Sequence, residues 1–196
     1  MAARLDALPA KERDVILDAS IVGRIFWRGA LERITRNPDS LAEALAGLER
    51  RDLIRRDHVS RIEGEEQWSF KHLLIRDVAY DLQPRVRRRD GHRHSAEFIE
   101  QSTPEVGEAG AALARHWRGA GELEHAVQHF VAAAEEAERG WAKQLAVALY
   151  KEALDMTPAD DIERVRFLRR RLAVAQQAVY HVGDAHLLGL GSGEAG

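Results

Sequence analysis

Phe70-Lys71-His72-Leu73-Leu74-Ile75-Arg76-Asp77-Val78-Ala79-Tyr80 changes its periodicity midway. Its first residues finish an alternating stretch, Gln67-Trp68-Ser69-Phe70-Lys71, in which Trp68 and Phe70 share one face, as in a strand. From Leu73 onward, Leu74, Val78 and Leu82 recur at i, i+4 and i+8, with Ile75 and Ala79 alongside, as on an amphipathic helix. A strand that turns into a helix can close one domain and begin the next. The rest of the chain is read from this junction.

Upstream, Leu8-Pro9-Ala10-Lys11 reads as a helix start, with proline near the first turn where its missing N–H costs nothing. Val15, Ile16 and Ala19 supply the apolar face, and Gly23 ends the helix. Phe26 and Trp27 precede a second short helix carrying Leu31 and Ile34, which Asn37-Pro38-Asp39 terminates. Ser40 with Glu43 three residues later has the pattern of a capping box, opening a third helix with Leu41, Ala44, Leu45 and Leu48 inward. Leu53–Arg56 and Gln67–Lys71 flank the polar turn Glu63-Gly64-Glu65-Glu66 and predict a β-hairpin. Three helices followed by a hairpin predict a winged helix over residues 1–82.

Downstream, Pro84 breaks the chain, and Arg85-Val86-Arg87-Arg88-Arg89 opens a basic connector helix and linker over 83–107. Gly91 lies inside this segment, where glycine costs a helix about 1 kcal/mol against alanine. Ser102-Thr103-Pro104 reads as a linker. Between 108 and 184, four helices follow, centred on Leu113 and Trp117, on Phe130 and Ala133, on Tyr150 and Ala153, and on Leu168 and Leu172. Alanine at repeated contact positions, with one aromatic per helix filling the gap, suits an α-solenoid in which each hairpin buries its face against the next. Residues 185–196 read as a disordered tail. The fold class is therefore mainly α, a winged helix with a small β-hairpin followed by a solenoid.

Composition removes several function classes. The chain has 29 Lys+Arg against 32 Asp+Glu, a net charge of -3, so no global basic field draws it to nucleic acid. It contains no cysteine, which excludes disulfides, thiolate metal sites and cysteine nucleophiles. No uncharged apolar run reaches about 20 residues and the amino terminus lacks an apolar signal core, so a cytoplasmic protein without membrane contact is expected.

Letter-level motifs dissolve on inspection. Gly191-Ser192-Gly193-Glu194-Ala195-Gly196 spells a dinucleotide fingerprint but follows no strand and opens no helix. His125 and His129 stand at i and i+4, yet Ala126 occupies the position where a zinc protease needs its glutamate. His92 and His94 have no third ligand at a suitable spacing. Ser69, His72 and Asp77 are the right types for nucleophilic catalysis, but Ser69 lacks elbow glycines. His72 and Asp77 are read instead as helix caps or backbone hydrogen-bonding residues. No catalytic residue, cofactor or metal site is expected.

Ala146, Tyr150, Ala153 and Pro158 resemble the second helix of a tetratricopeptide repeat, and Phe130, Ala133, Ala134 and Ala137 resemble its first. Gly121-Glu122-Leu123-Glu124-His125-Ala126 looks like a typical repeat turn. Leu45-Ala46-Gly47-Leu48-Glu49-Arg50-Arg51-Asp52-Leu53, Phe70-Lys71-His72 and Arg76-Asp77-Val78-Ala79-Tyr80 together resemble the segment after the nucleotide-binding module of bacterial STAND-type signalling ATPases. Those proteins are often fused to class III adenylate/guanylate cyclase domains or to LuxR-type DNA-binding domains. The resemblance runs from about Leu5 to Asp184 and implies a regulatory, protein-docking role. No Gly-Lys dipeptide occurs anywhere, so no Walker A loop is present. A fragment or remnant without ATPase or cyclase is expected, as is an interruption of the usual continuous helix at Asp90-Gly91.

Phe70, His72, Arg76, Asp77 and Tyr80 are the expected structural or docking residues. Arg85, Arg87, Arg88, Arg89, Val127, Phe130 and Trp141 are the candidates for a partner surface. The expected partner is a protein, either a nucleotide-binding domain or a signalling partner. DNA is the less favoured alternative: the first turns of the third helix carry Glu43 and small residues, and Glu63, Glu65 and Glu66 sit at the hairpin tip.

Overall fold

Helix α2 (Ala10–Val22) organises the first half of the molecule, because every residue from Val15 to Val22 is buried. A helix buried all round in its second half must be surrounded by other elements. The computed structural model describes residues 2–102, 108–140 and 142–188. They divide into two compact units, one of residues 1–104 with 119–121 and one of residues 105–118 with 122–196.

In the first unit, α1 (Ala2–Asp6) precedes α2. The latter stops at Gly23, whose φ of 143° an L side chain rarely adopts. Strand β1 (Ile25–Trp27) leads into α3 (Arg28–Ile34), a 3-10 turn at Pro38–Ser40 and α4 (Leu41–Arg50). Strands β2 (Ile54–Arg56) and β3 (Gln67–Phe70) form the expected hairpin. An unanticipated third member, β1, pairs with the other edge of β3, so the antiparallel sheet has the order β1-β3-β2. Ser69 stands opposite Ile25 on one side and Arg55 on the other. Helix α5 (Leu73–Leu82) follows, and α6 (Arg85–Ser102) packs against α2 and α3.

Two local expectations are corrected. Ser40 makes no cap hydrogen bond and instead donates from Oγ to the Asn37 carbonyl at 3.2 Å. The 3-10 turn already supplies the Pro38 carbonyl to the Leu41 N–H, and Glu43 pairs with Lys11. The interruption expected at Asp90-Gly91 is absent, since α6 runs unbroken through both residues. A Cβ on Gly91 would lie 2.7 Å from Ile21 Cδ1, so glycine here permits close approach of α6 to α2.

The second unit takes α7 (Glu108–Ala120) as far as Arg118, then α8 (Leu123–Arg139), α9 (Lys143–Met156) and α10 (Ile162–Leu188) in order. Helix α8 packs on α9, and α9 on α10. Ala126, Ala133, Ala134, Ala146, Ala153 and Ala175 are buried, as small contact residues between close axes require. Tyr150 of α9 binds both neighbours: its hydroxyl donates to Glu138 of α8 at 3.2 Å and accepts from Arg171 Nε of α10 at 3.0 Å. Arg171 closes the triangle onto Glu138 at 2.6 Å. The expected tail is corrected at its start, because residues 185–188 still belong to α10; residues 189–196 lie outside those described.

The architecture is mainly helical with one small three-stranded antiparallel sheet.

Candidate functional site

The motif around Phe70–Tyr80 supplies both a core and a surface. Phe70 is buried and meets Phe26 edge-on, with ring centroids 5.4 Å apart. His72 occupies the position before α5 in extended conformation, is exposed, and makes no cap hydrogen bond through its side chain. Its expected capping role is thereby corrected. The backbone makes the turn instead, the Ile75 N–H donating to the His72 carbonyl at 3.1 Å.

Arg76 performs a capping role that the sequence did not indicate. The final carbonyls of a helix have no partner within it, and α2 carries no basic residue in its last turn. Arg76 Nε donates to the Ser20 carbonyl at 3.0 Å and brings a positive charge to that negative helix end. Nη1 of the same guanidinium holds Asp77 at 3.1 Å. Tyr80 lies between two guanidinium groups, Arg76 at 4.8 Å and Arg88 at 5.0 Å from its ring centroid. Its hydroxyl is 2.9 Å from His92 Nε2 on α6. Arg76, Asp77 and Tyr80 thus fasten α5 to α2 and α6.

The basic run is largely committed to structure. Arg87 reaches Asp18 at 2.9 Å, Arg88 covers Tyr80, and Arg89 donates to the Ala120 carbonyl at 2.7 Å. Arg85 is exposed. Asp18 is almost wholly buried in α2, where burial pushes its carboxyl above the usual carboxylate range while Arg87 and Gln83 oppose that shift. Gln83 donates to the same oxygen at 2.9 Å. Sequence reasoning missed this pair, although a carboxylate inside the apolar run Val15-Ile16-Leu17-Asp18-Ala19 was a visible signal.

The helix period of α5 is real, but its outward face is the one with the larger side chains. Ile75 and Ala79 point into the core, whereas Leu73 and Leu74 are 55% and 58% exposed and Leu82 is also open. Val86, on the first turn of α6, is 72% exposed. Asp77 and Asp81 follow Leu73 at i+4 and i+8 and so stand between it and Leu74 around the helix. Four large apolar side chains are thus exposed within 14 residues of sequence.

Of the partner-surface residues in the second unit, Val127 and Phe130 are corrected: both are core, with exposures of 3% and 0%. Phe130 lies under the Arg118 guanidinium at 5.9 Å. Helical periodicity identifies an apolar face, but which face meets a neighbour is set by packing. Trp141 lies outside the described residues. Of the discarded catalytic set, Ser69 engages Arg55 and Asp57, and Asp77 engages Arg76. His125 packs on Trp117 with centroids 5.0 Å apart. Among the described residues, no three potential His, Cys, Asp or Glu ligands gather as a metal site, and no helix is long and apolar enough to cross a membrane.

Comparison of the chain with protein-family models, with curated proteins and with solved structures returns no significant match.

Proposed function

We propose that the chain is a non-catalytic docking module of STAND-type signalling ATPases. Its first unit is a winged helix and its second an array of tetratricopeptide-like hairpins. The order helix, strand, helix, helix, hairpin, with β1 added beside β3, supports the winged-helix reading. The Tyr150 triangle and the alanine contacts support the repeat reading.

The observation that carries the docking role is the exposure of Leu74 and Leu82, which share a side of α5, with Leu73 and Val86 also open. Its occupant is a nucleotide-binding domain of the kind that precedes this segment in the proteins it resembles, held in a low-turnover state by the contact. A DNA-reading role lacks support from α4, whose exposed positions include Ala42, Glu43, Glu49 and Arg50 rather than a row of base-reading amides and arginines.

The test pairs the chain with a separately purified STAND nucleotide-binding domain encoded in the same genome. Titrating in the chain should lower ATP turnover by that domain, and the Leu74→Glu/Leu82→Glu variant should not. Unchanged turnover at saturating chain, together with no complex by sedimentation, rejects the proposal. A salt-dependent shift of duplex DNA at about 50 mM salt would favour the nucleic-acid reading instead.

A further inference from the structure

The sheet has two unlike faces. Alternation places Trp68, Phe70, Ile54 and Phe26 on the side that builds the core. On the other side stand Ser69, Gln67 and Arg55, with Ile25 and Trp27 of β1 beside them, so that face is polar along β2 and β3. Above Ser69 lies an open concavity of about 360 Å³, lined by side chains from four separate segments. Arg24 comes from the residue before β1, Arg55 from β2, Arg61 from the loop between β2 and β3, and Lys71 from the residue after β3. Asp57 is the one carboxylate in this lining.

We infer that this concavity is a binding site for a compact polyphosphate, such as the phosphate chain of a small nucleotide-like ligand. Asp57 offsets part of the rim's charge through Arg55 and also orders the floor beneath it. Its Oδ1 accepts from Ser69 Oγ at 3.0 Å and its Oδ2 from Gln67 Nε2 at 2.9 Å. Arg55 approaches the same carboxylate at 3.5 Å while donating to Ser69 Oγ at 3.1 Å. The acid therefore fixes the floor of the site. Lys71 also pairs with Asp52, outside the lining. Arg24 is exposed and has no acidic partner among the described residues. Converging guanidinium groups donate in planar forks that suit phosphate oxygens.

The shape favours a compact anion over an extended strand. The cations surround a hollow instead of forming a ridge, and Glu63 is exposed on the same loop as Arg61, where a passing nucleic-acid backbone would meet it. The site uses none of the exposed α5 leucines, so it stands or falls apart from the docking role.

Calorimetric titration of the whole chain with inorganic tripolyphosphate, at about 0.15 M salt, tests the site. Saturable 1:1 binding is expected, tighter than for orthophosphate. Arg24→Gln should weaken it about tenfold, equivalent to ~1.4 kcal/mol. Lys71→Gln should also weaken it, with melting temperature followed for both variants. Arg85→Gln, an exposed arginine away from the concavity, should leave binding unchanged. No saturable binding, equal loss in Arg85→Gln, no loss in either Arg24→Gln or Lys71→Gln, or tighter binding of a short DNA duplex than of tripolyphosphate would each overturn the inference.

Discussion

Asp18 Oδ1 on α2 and Arg87 Nη2 on α6 lie 2.9 Å apart, joining residues 69 positions distant in sequence. Only the carboxylate is fully enclosed: side-chain exposure is 4% for Asp18 and 27% for Arg87. The second oxygen also meets Nη2 at 3.1 Å, and the same nitrogen reaches the Ile34 carbonyl at 3.3 Å. One guanidinium therefore ties α6 to both α2 and α3.

Removing that guanidinium should be costly in a pH-dependent way. Arg87→Met strands a buried carboxylate, and the expected loss at neutral pH is about 2–4 kcal/mol, below the full value for a buried pair because Arg87 is partly solvated. Burial already raises the Asp18 carboxyl above its ordinary 3.8 in the folded protein. As pH rises past that value, the unfolded chain loses the proton first, so the contribution is full below it and declines through the folded value. In Arg87→Met the folded value rises further. The variant's deficit should shrink toward acid pH and widen toward neutrality, measured by urea unfolding across that range.

Gly91→Ala should destabilise, against helix propensity. Alanine gains about 1 kcal/mol in a helix. Its Cβ, however, would sit 2.7 Å from Ile21 Cδ1 and 3.1 Å from Cγ2, inside a full core, where overpacking costs about 1–3 kcal/mol. Ile21→Val removes the nearest atom. The double variant should be more stable than the sum of the two single changes predicts, a non-additivity readable from urea midpoints.

The two apolar sets distinguished by packing should respond oppositely. Phe130→Ala should lose about 3–5 kcal/mol, the cost of emptying an aromatic core position. Leu74→Glu/Leu82→Glu should stay within about ±0.5 kcal/mol per site, since both side chains already face water. Thermal unfolding of the two variants checks both outcomes.

Tyr150 should ionise above the ordinary phenol range. Burial and the Glu138 carboxylate push its phenol from 10.0 to about 12, with Arg171 opposing them. Since the unfolded phenol releases its proton first, stability should be complete below pH 10.0 and decline as pH approaches about 12. Absorbance titration should show a late phenolate step that disappears in Tyr150→Phe. At neutral pH that variant should lose only about 1 kcal/mol, because Arg171 and Glu138 remain paired.

The sequence alone determined most of the element inventory, though not α1 or β1. Period and punctuation placed the helices, the β2–β3 hairpin, the stop at Gly23 and the change of period after Lys71, because backbone preference and amphipathic spacing are local quantities. It did not determine which side of an element faces inward. Leu74 and Leu82 share a face as faultlessly as any core pair, and only the packing of α2 against Ile75 and Ala79 leaves them outside. Strand β1 was too short, at three residues, to show a period and exists because β3 offered a free edge. Gly91 reads as a helix breaker by propensity and works as a close-contact residue because Ile21 fills the space beside it. The pairing of Asp18 with Arg87, the reach of Arg76 to the end of α2, and the gathering of Arg24, Arg55, Arg61 and Lys71 over Ser69 depend on distances between segments remote in the chain. Tertiary structure decided those, since periodicity fixes directions around one axis and carries no information about what lies opposite.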